Sequence, residues 1–374
     1  MDLPHGSSVP INGARLVDRI DELAQIGAID GTRGCSRLAF SDADLEGRDL
    51  VVTWMRDLGL TVTIDAVGNV VASTSSDGAA GAVMTGSHID TVGTGGRYDG
   101  NLGVLAGLEV IEATLAAGID LQRPLAVAFF SNEEGSRYPP DMMGSLAYVE
   151  LHIEQGPVLD RAGLSIGVVE GVQGISWTEL LLTGQSNHAG TTPMTLRRDP
   201  MVVAAAVAVA ARDIALELGG SQVATVGSLT LHPNLVNVVP AHVTMTVDLR
   251  NTDEEALQFA ERDLGKRTAQ LAKAEGVEVT SRTLARFEPV EFDSRVVDQI
   301  EQLATTRGLS TKRMPSGAGH DAQMLARICP TGMIFVPSVD GVSHNPAEHT
   351  DEQDLITGTQ LLADTLLALT EVTW

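Results

Sequence analysis

Residues 82–88, Ala82-Val83-Met84-Thr85-Gly86-Ser87-His88, form an apolar run that closes on a histidine. The run is too short for a buried helix and reads as a buried strand. Residues 125–131, Leu-Ala-Val-Ala-Phe-Phe-Ser, read the same way and stop just before Glu133-Glu134. Between them, residues 102–117 place Leu105, Leu108, Ile111, Thr114 and Leu115 at helical spacing. Strand, helix, strand is a βαβ unit, so the chain reads as α/β. Open sheets of this class hold their sites at the carboxyl ends of the strands, where His88 and the glutamate pair fall. The pattern recurs late in the chain. Residues 332–336 read as a short buried strand, His344 lies on the loop beyond it, and Asp351 can cap a last helix running to about Leu369.

The middle of the chain follows a different pattern. Residues 175–183 alternate as a half-exposed strand, and Asp199-Pro200 reads as a cap followed by proline in the first turn of a helix that ends at Gly219. Residues 223–231 and 242–250 read as strands. Thr252-Asp253-Glu254-Glu255 reads as a capping box opening a second helix, with Leu257, Ala260, Leu264 and Leu271 on one face. Residues 277–284 read as a closing strand. The order β-α-β-β-α-β predicts a ferredoxin-like α+β domain over residues 172–285. It is inserted into an α/β domain made of residues 1–171 and 286–374.

The 374 residues suffice for two domains. Aromatics are only 3% of the chain, so the core rests on Val, Leu, Ile and Ala. A formal charge of −24 repels phosphate backbones and anionic lipid, which argues against nucleic-acid and membrane partners. Cys35 and Cys329 show no paired spacing, and Cys329 reads as a small core residue. Residues 1–10 lack the basic-then-apolar pattern of a signal peptide, and no apolar run approaches the roughly 20 residues of a membrane span. The expected compartment is the cytoplasm.

His88, Asp99, Glu133-Glu134, His152 and His344 are metal-ligand residue types, each in its own short motif. One such residue is weak; the set is what two divalent ions sharing one carboxylate require, and it predicts a two-metal hydrolase. Asp90, one residue beyond Ile89, points to the same side as His88 on an extended segment and can brace its imidazole. Asp99 stands between Gly95-Gly96 and Gly100, where the backbone can bend to present both carboxylate oxygens. Adjacent glutamates suit a division of labour in which one binds metal and the other takes a proton from water.

Several longer motifs narrow the reading. They are Gly86-Ser87-His88-Ile89-Asp90-Thr91-Val92, Asn132-Glu133-Glu134-Gly135-Ser136-Arg137-Tyr138 and Glu150-Leu151-His152-Ile153-Glu154-Gln155-Gly156-Pro157. Asn187-His188-Ala189-Gly190-Thr191-Thr192-Pro193-Met194 and Ser316-Gly317-Ala318-Gly319-His320-Asp321 complete the set. Together, from about Gly34 onward, they resemble the M20 metallopeptidase family. Within it they resemble the hydantoinase/carbamoylase subfamily of N-carbamoyl-L-amino-acid hydrolases, β-ureidopropionases and allantoate amidohydrolases. The resemblance implies a catalytic domain with a mixed sheet flanked by helices, and a lid domain that pairs into a homodimer. It makes Asp99 the bridging ligand, His88, His152, Glu134 and His344 the others, and Glu133 the base. His188 resembles the lid histidine that stabilises the oxyanion in the partner subunit. Arg250 resembles the clamp for the substrate carboxylate, with Asn237 as its companion. Gln155 and His232 are further substrate candidates, as are the backbone amides of Gly317, Ala318 and Gly319. One departure stands out: the segment between Met143-Gly144-Ser145 and Tyr148 is several helical turns shorter than in the subfamily. That bears on the wall beside His152.

The resemblance implies hydrolysis of the ureido C–N bond of an N-carbamoyl-L-amino acid, with two divalent ions per subunit, zinc first and manganese, cobalt or nickel as alternatives. Gly167-Val168-Val169-Glu170-Gly171 and Gly174-Ile175-Ser176-Trp177 look closer to that branch than to allantoate enzymes, with allantoate or N-carbamoyl-β-alanine as the alternative substrates. A metal-free binding or scaffold protein is the reading from a different class. The intact glutamate pair argues against it, because a relic needs no base.

Overall fold

The computed structural model describes residues 8–134 and 147–372. Met143-Gly144-Ser145, the start of the shortened segment, lies outside them. By contacts the chain divides into two compact units, residues 1–171 with 291–374, and residues 172–290. The second boundary falls beyond 285, because the strand expected over 277–284 runs from Glu278 to Phe287.

The first unit is built on a mixed sheet. Its path runs Thr61–Ile64, Val70–Ser73, Leu125–Phe130, Val83–His88, Ala147–Ile153, Thr331–Val336, Ile166–Val172 and Val290–Glu291, and Thr311–Ser316 pairs with Ile166–Val172. The four central strands, from Leu125–Phe130 to Thr331–Val336, are parallel, and every residue in them is buried. Burial on both faces explains why three of them, all but Ala147–Ile153, read as largely apolar runs rather than alternating ones. The helix between the first two, Asn101–Ala116, is buried almost all round rather than along one stripe; Leu115 is an exception. Its one buried carboxylate, Glu109, is paired with Arg15 at 2.6 Å and accepts the Asn12 amide at 2.7 Å. Helix Glu352–Thr370 closes the unit. Asp351 stands at its N-cap, but its side chain makes no capping bond and pairs with His349 at 3.3 Å instead.

The second unit is a four-stranded antiparallel sheet in the order Glu278–Phe287, Gly174–Thr183, His242–Asn251, Val223–His232. Alternate residues of His242–Asn251 are buried, and they share one core with helices Pro200–Leu218 and Glu254–Glu275. Asp199 caps the first helix through the Met201 amide at 2.9 Å. The second is capped by Asp253, which accepts the Ala256 amide at 2.7 Å, and not by Thr252. Two cap-forming residues stand side by side there, and the aspartate carboxylate is the better acceptor at a helix N-terminus. Cys35 and Cys329 are both buried. Among the described residues no helix is long and apolar enough to cross a membrane.

Candidate metal centre

The parallel strands deliver their ends to one place. His88 ends Val83–His88, Glu133 and Glu134 follow Leu125–Phe130, His152 lies on Ala147–Ile153, and His344 follows Thr331–Val336. Asp99 leads into helix Asn101–Ala116 through Gly100, whose φ is +66°. A Cβ at Gly100 would stand 2.4 Å from His88 Nε2, so only glycine lets this turn lie against the imidazole.

Asp99 is the hub. Its Oδ1 lies 3.2 Å from His152 Nε2 and 3.8 Å from His88 Nε2; its Oδ2 lies 3.4 Å from His344 Nε2. His344 Nε2 is also 3.4 Å from Glu134 Oε2, and His88 Nε2 is 3.5 Å from Glu133 Oε2. His88, Asp99 and His152 form one group of ligand atoms within 4.8 Å of one another, and Asp99, Glu134 and His344 form a second.

The ring tautomers follow from the partners. His88 Nδ1 meets the Asp90 carbonyl and His152 Nδ1 meets the Ile153 carbonyl, both at 2.9 Å. A carbonyl only accepts, so Nδ1 carries the proton in each neutral ring, and each Nε2 lone pair faces carboxylate oxygen. Lone pairs facing lone pairs call for a proton or a metal ion between them, although His152 Nε2 also takes the Gly100 amide at 3.2 Å. Two ligand groups, with His and carboxylate donors and one shared aspartate, therefore fit two divalent ions. The brace on His88 is the main chain of Asp90, correcting the expectation that its carboxylate would serve. That carboxylate lies 3.9 Å from the ring and accepts the Glu133 amide at 3.3 Å.

Electrostatics follow the same crowding. Burial and the charges of Glu134 and Asp90 outweigh His88 and push Glu133 up to about 8. Burial and Asp99 push Glu134 up to about 6. The hydrogen bond to Asp99 raises His344 to about 9 against its partial burial. Burial opposes charge on Asp99, yet hydrogen bonds from His152 and His344 in their protonated forms hold it well below the ordinary carboxylate range.

Other expected residues are placed differently. Gln155 is engaged with the centre: its amide donates to Asp99 Oδ2 at 2.9 Å and reaches Ser343 Oγ at 3.3 Å. The Ala318 amide donates to Ser316 Oγ at 3.1 Å. Gly317 and Gly319 flank it on the same loop, before helix Asp321–Leu325.

In the second unit, His188 is exposed and its strand, Asn187–His188, pairs with Val238–Val239. His188 Nδ1 accepts the Gly190 and Thr191 amides at 3.0 and 3.2 Å, so the neutral ring presents Nε2–H outward. The Asn237 carbonyl accepts the Ala189 amide at 2.9 Å, which sets Asn237 beside His188. Arg250 is elsewhere. His242 pairs with His232, whereas Arg250 pairs with Val223, eight residues along the strand and roughly 27 Å away. Asn237 is thus the companion of His188 rather than of Arg250. The Arg250 guanidinium meets Asp248 at 2.8 Å.

Sequence reasoning missed three buried groups behind the ligands. Glu348 accepts the Tyr98 and Asp99 amides at 3.1 and 3.2 Å and the Ser343 hydroxyl at 3.0 Å; burial and Asp99 push it up to about 7. Glu150 accepts from Ser87 Oγ at 2.7 Å and the Ala322 amide at 2.8 Å. His320 lies with its ring 4.6 Å from that of His152, and its Nε2 meets Ser316 Oγ at 2.8 Å. Glu150, His152 and His320 also cluster at ligand distance, but these hydrogen bonds already occupy Glu150 and His320. A glutamate two residues before His152 in an otherwise apolar strand was a readable signal for Glu150. Glu348, on a loop, carried none.

The chain belongs to peptidase family M20/M25/M40, which matches residues 84–368. It is 36% identical to the N-carbamoyl-L-amino acid amidohydrolase of Geobacillus stearothermophilus, over 96% of this chain and 99% of that protein. It is 33% identical to the allantoate amidohydrolase of Bacillus subtilis, over 95% and 97%. Among solved structures it is similar to a hydantoinase/carbamoylase family amidase from Burkholderia multivorans. The TM-score is 0.87 at 36% identity, covering 96% of this chain and 98% of that one.

Proposed function

We propose that this chain hydrolyses the ureido C–N bond of N-carbamoyl-L-amino acids, releasing the amino acid, ammonia and carbon dioxide. The observation that carries the reading is the Asp99 carboxylate, which faces imidazoles from both its oxygens. The likeness to a named N-carbamoyl-L-amino acid amidohydrolase over nearly the whole chain supports the substrate class. His88 and His152 would hold one divalent ion, Glu134 and His344 the other, and Asp99 both. Zinc suits the donor set best, with manganese, cobalt and nickel as alternatives. When bound, such ions supply Lewis acidity to a carbonyl oxygen and acidify water.

Glu133, anchored by the Asp90 carboxylate through its amide, takes the proton from the attacking water and passes it to the leaving nitrogen. Arg250 offers a planar fork to the substrate carboxylate, in exchange for its pairing with Asp248. The four-stranded unit serves as a ferredoxin-like lid through which two chains pair. Its strand order and its two helices sharing one core support that reading. His188, with Asn237 beside it, would then present Nε2–H to the oxyanion formed in the partner subunit. The cytoplasm is the proposed compartment.

Allantoate is the second reading, favoured by the 33% identical relative of that activity. Ammonia release from N-carbamoyl-L-amino acids, N-carbamoyl-β-alanine and allantoate separates the possibilities. The highest kcat/KM should fall on a carbamoyl α-amino acid, and a higher value on allantoate would overturn the assignment.

A further inference from the structure

Glu348 is 2% exposed and lies on the loop that carries His344, outside both ligand groups. Its carboxylate reaches across to a different loop. Oε1 accepts the amides of Tyr98 and Asp99, and Oε2 accepts the hydroxyl of Ser343, the residue before His344. Ser343 Oγ in turn receives Gln155 Nε2, the same amide that donates to Asp99 Oδ2. Gly96 makes room for the reach, because a Cβ there would stand 2.0 Å from Glu348 Oε1. A buried carboxylate held by three donors from two loops fixes the distance between those loops. One loop bears the aspartate shared by both ligand groups, and the other bears the histidine of the second.

We propose that Glu348 is a positioning residue that ties the Asp99 turn to the His344 turn and so sets the spacing of the two metal sites. The inference rests on the two-ion reading above. Buried partners of metal ligands typically contribute about 10–100-fold in metal affinity. Glu348→Ala removes all three bonds and leaves two amides without acceptors. Glu348→Gln keeps an acceptor for the amides, and its NH2 can donate to Ser343 Oγ.

The test is Zn2+ binding to metal-stripped protein, in competition with a chromophoric chelator. Folding is checked by circular dichroism in the same samples. Wild type should bind two ions, Glu348→Ala should bind both about 10–100-fold more weakly, and Glu348→Gln should stay within a few-fold of wild type. Wild-type affinity in Glu348→Ala overturns the inference, as does a Glu348→Gln protein as weak as the alanine variant. Wild type binding fewer than two ions would fail the two-ion reading itself. If Glu348→Ala does not fold, Ser343→Ala removes the tie at Oε2, together with the contacts of Ser343 Oγ to Gln155 and Asp99 Oδ2. It should weaken the second ion, and unchanged affinity there overturns the proposal.

Discussion

Gly100→Ala tests how closely the Asp99 turn must lie against His88. Two costs act at this position. An L-residue at φ +66°, ψ −48° lies outside the left-handed helical well and loses on the order of 1–3 kcal/mol to backbone strain. The new Cβ also stands 2.4 Å from His88 Nε2 and Cε1, where van der Waals contact needs about 3.5–4 Å. The ring or the turn must therefore move by roughly 1 Å, at the atom that would face the ion. Gly118→Ala is the control for a positive-φ glycine in open space: it sits just beyond the other end of the same helix, at φ +63°, with nothing within 4 Å of its Cβ. It pays a backbone cost alone, about 1–2 kcal/mol. At about 2–4 °C per kcal/mol for a unit of this size, Gly118→Ala should lower Tm by about 2–8 °C and leave metal affinity intact. Gly100→Ala should lower the metal-free Tm further and weaken Zn2+ binding by about 10-fold or more. Calorimetry on stripped protein and chelator competition give both numbers. The reasoning fails if Gly100→Ala binds Zn2+ like wild type or melts where Gly118→Ala melts.

Three further predictions concern the chemistry. Glu133→Gln should keep its metal while losing roughly 10²–10⁴-fold in turnover, and Glu134→Gln should lose metal; the reverse pattern by metal analysis and kinetics would exchange their roles. Arg250→Lys should lose kcat/KM for carboxylate substrates with folding unchanged, because an ammonium cannot reproduce a two-pronged grip, and wild-type kinetics would remove Arg250 from the site. Glu133→Gln and His188→Ala, each inactive alone, should recover about a quarter of all sites when their subunits are mixed and exchanged. With exchange verified, no recovery would mean that His188 serves its own subunit.

Three of the four parallel strands were legible because burial on both faces leaves a largely apolar run; the fourth, Ala147–Ile153, is interrupted by Glu150 and His152 and does not read as a strand. The ligands at the strand ends belong to chemically rare types. The second unit was legible through its alternation, which the His242–Asn251 strand keeps along its length. What failed depended on atoms that composition does not specify. Thr252 and Asp253 are both cap formers, and only the backbone decides whose oxygen accepts the amide. Asp90 supports His88 through a carbonyl that every residue possesses. Asn237 and Arg250 are close in the chain, yet Asn237 lies on the loop beyond His232, whereas Arg250 pairs with Val223 at the far end of the strand from the His232–His242 pair. Glu348 is a lone acid on a loop, and its value comes from a contact with Tyr98 and Asp99 some 250 residues away.

The central claim is that two ions bound around Asp99 are required to split a carbamoyl C–N bond. Metal content and ammonia release should be measured on the same protein, as purified, after chelator stripping, and after graded return of Zn2+ or Mn2+. The account predicts two ions per chain in active protein, loss of ammonia release on stripping, and recovery that is complete only as the second ion returns. One ion or none in fully active protein, or ammonia release that survives stripping, would contradict it.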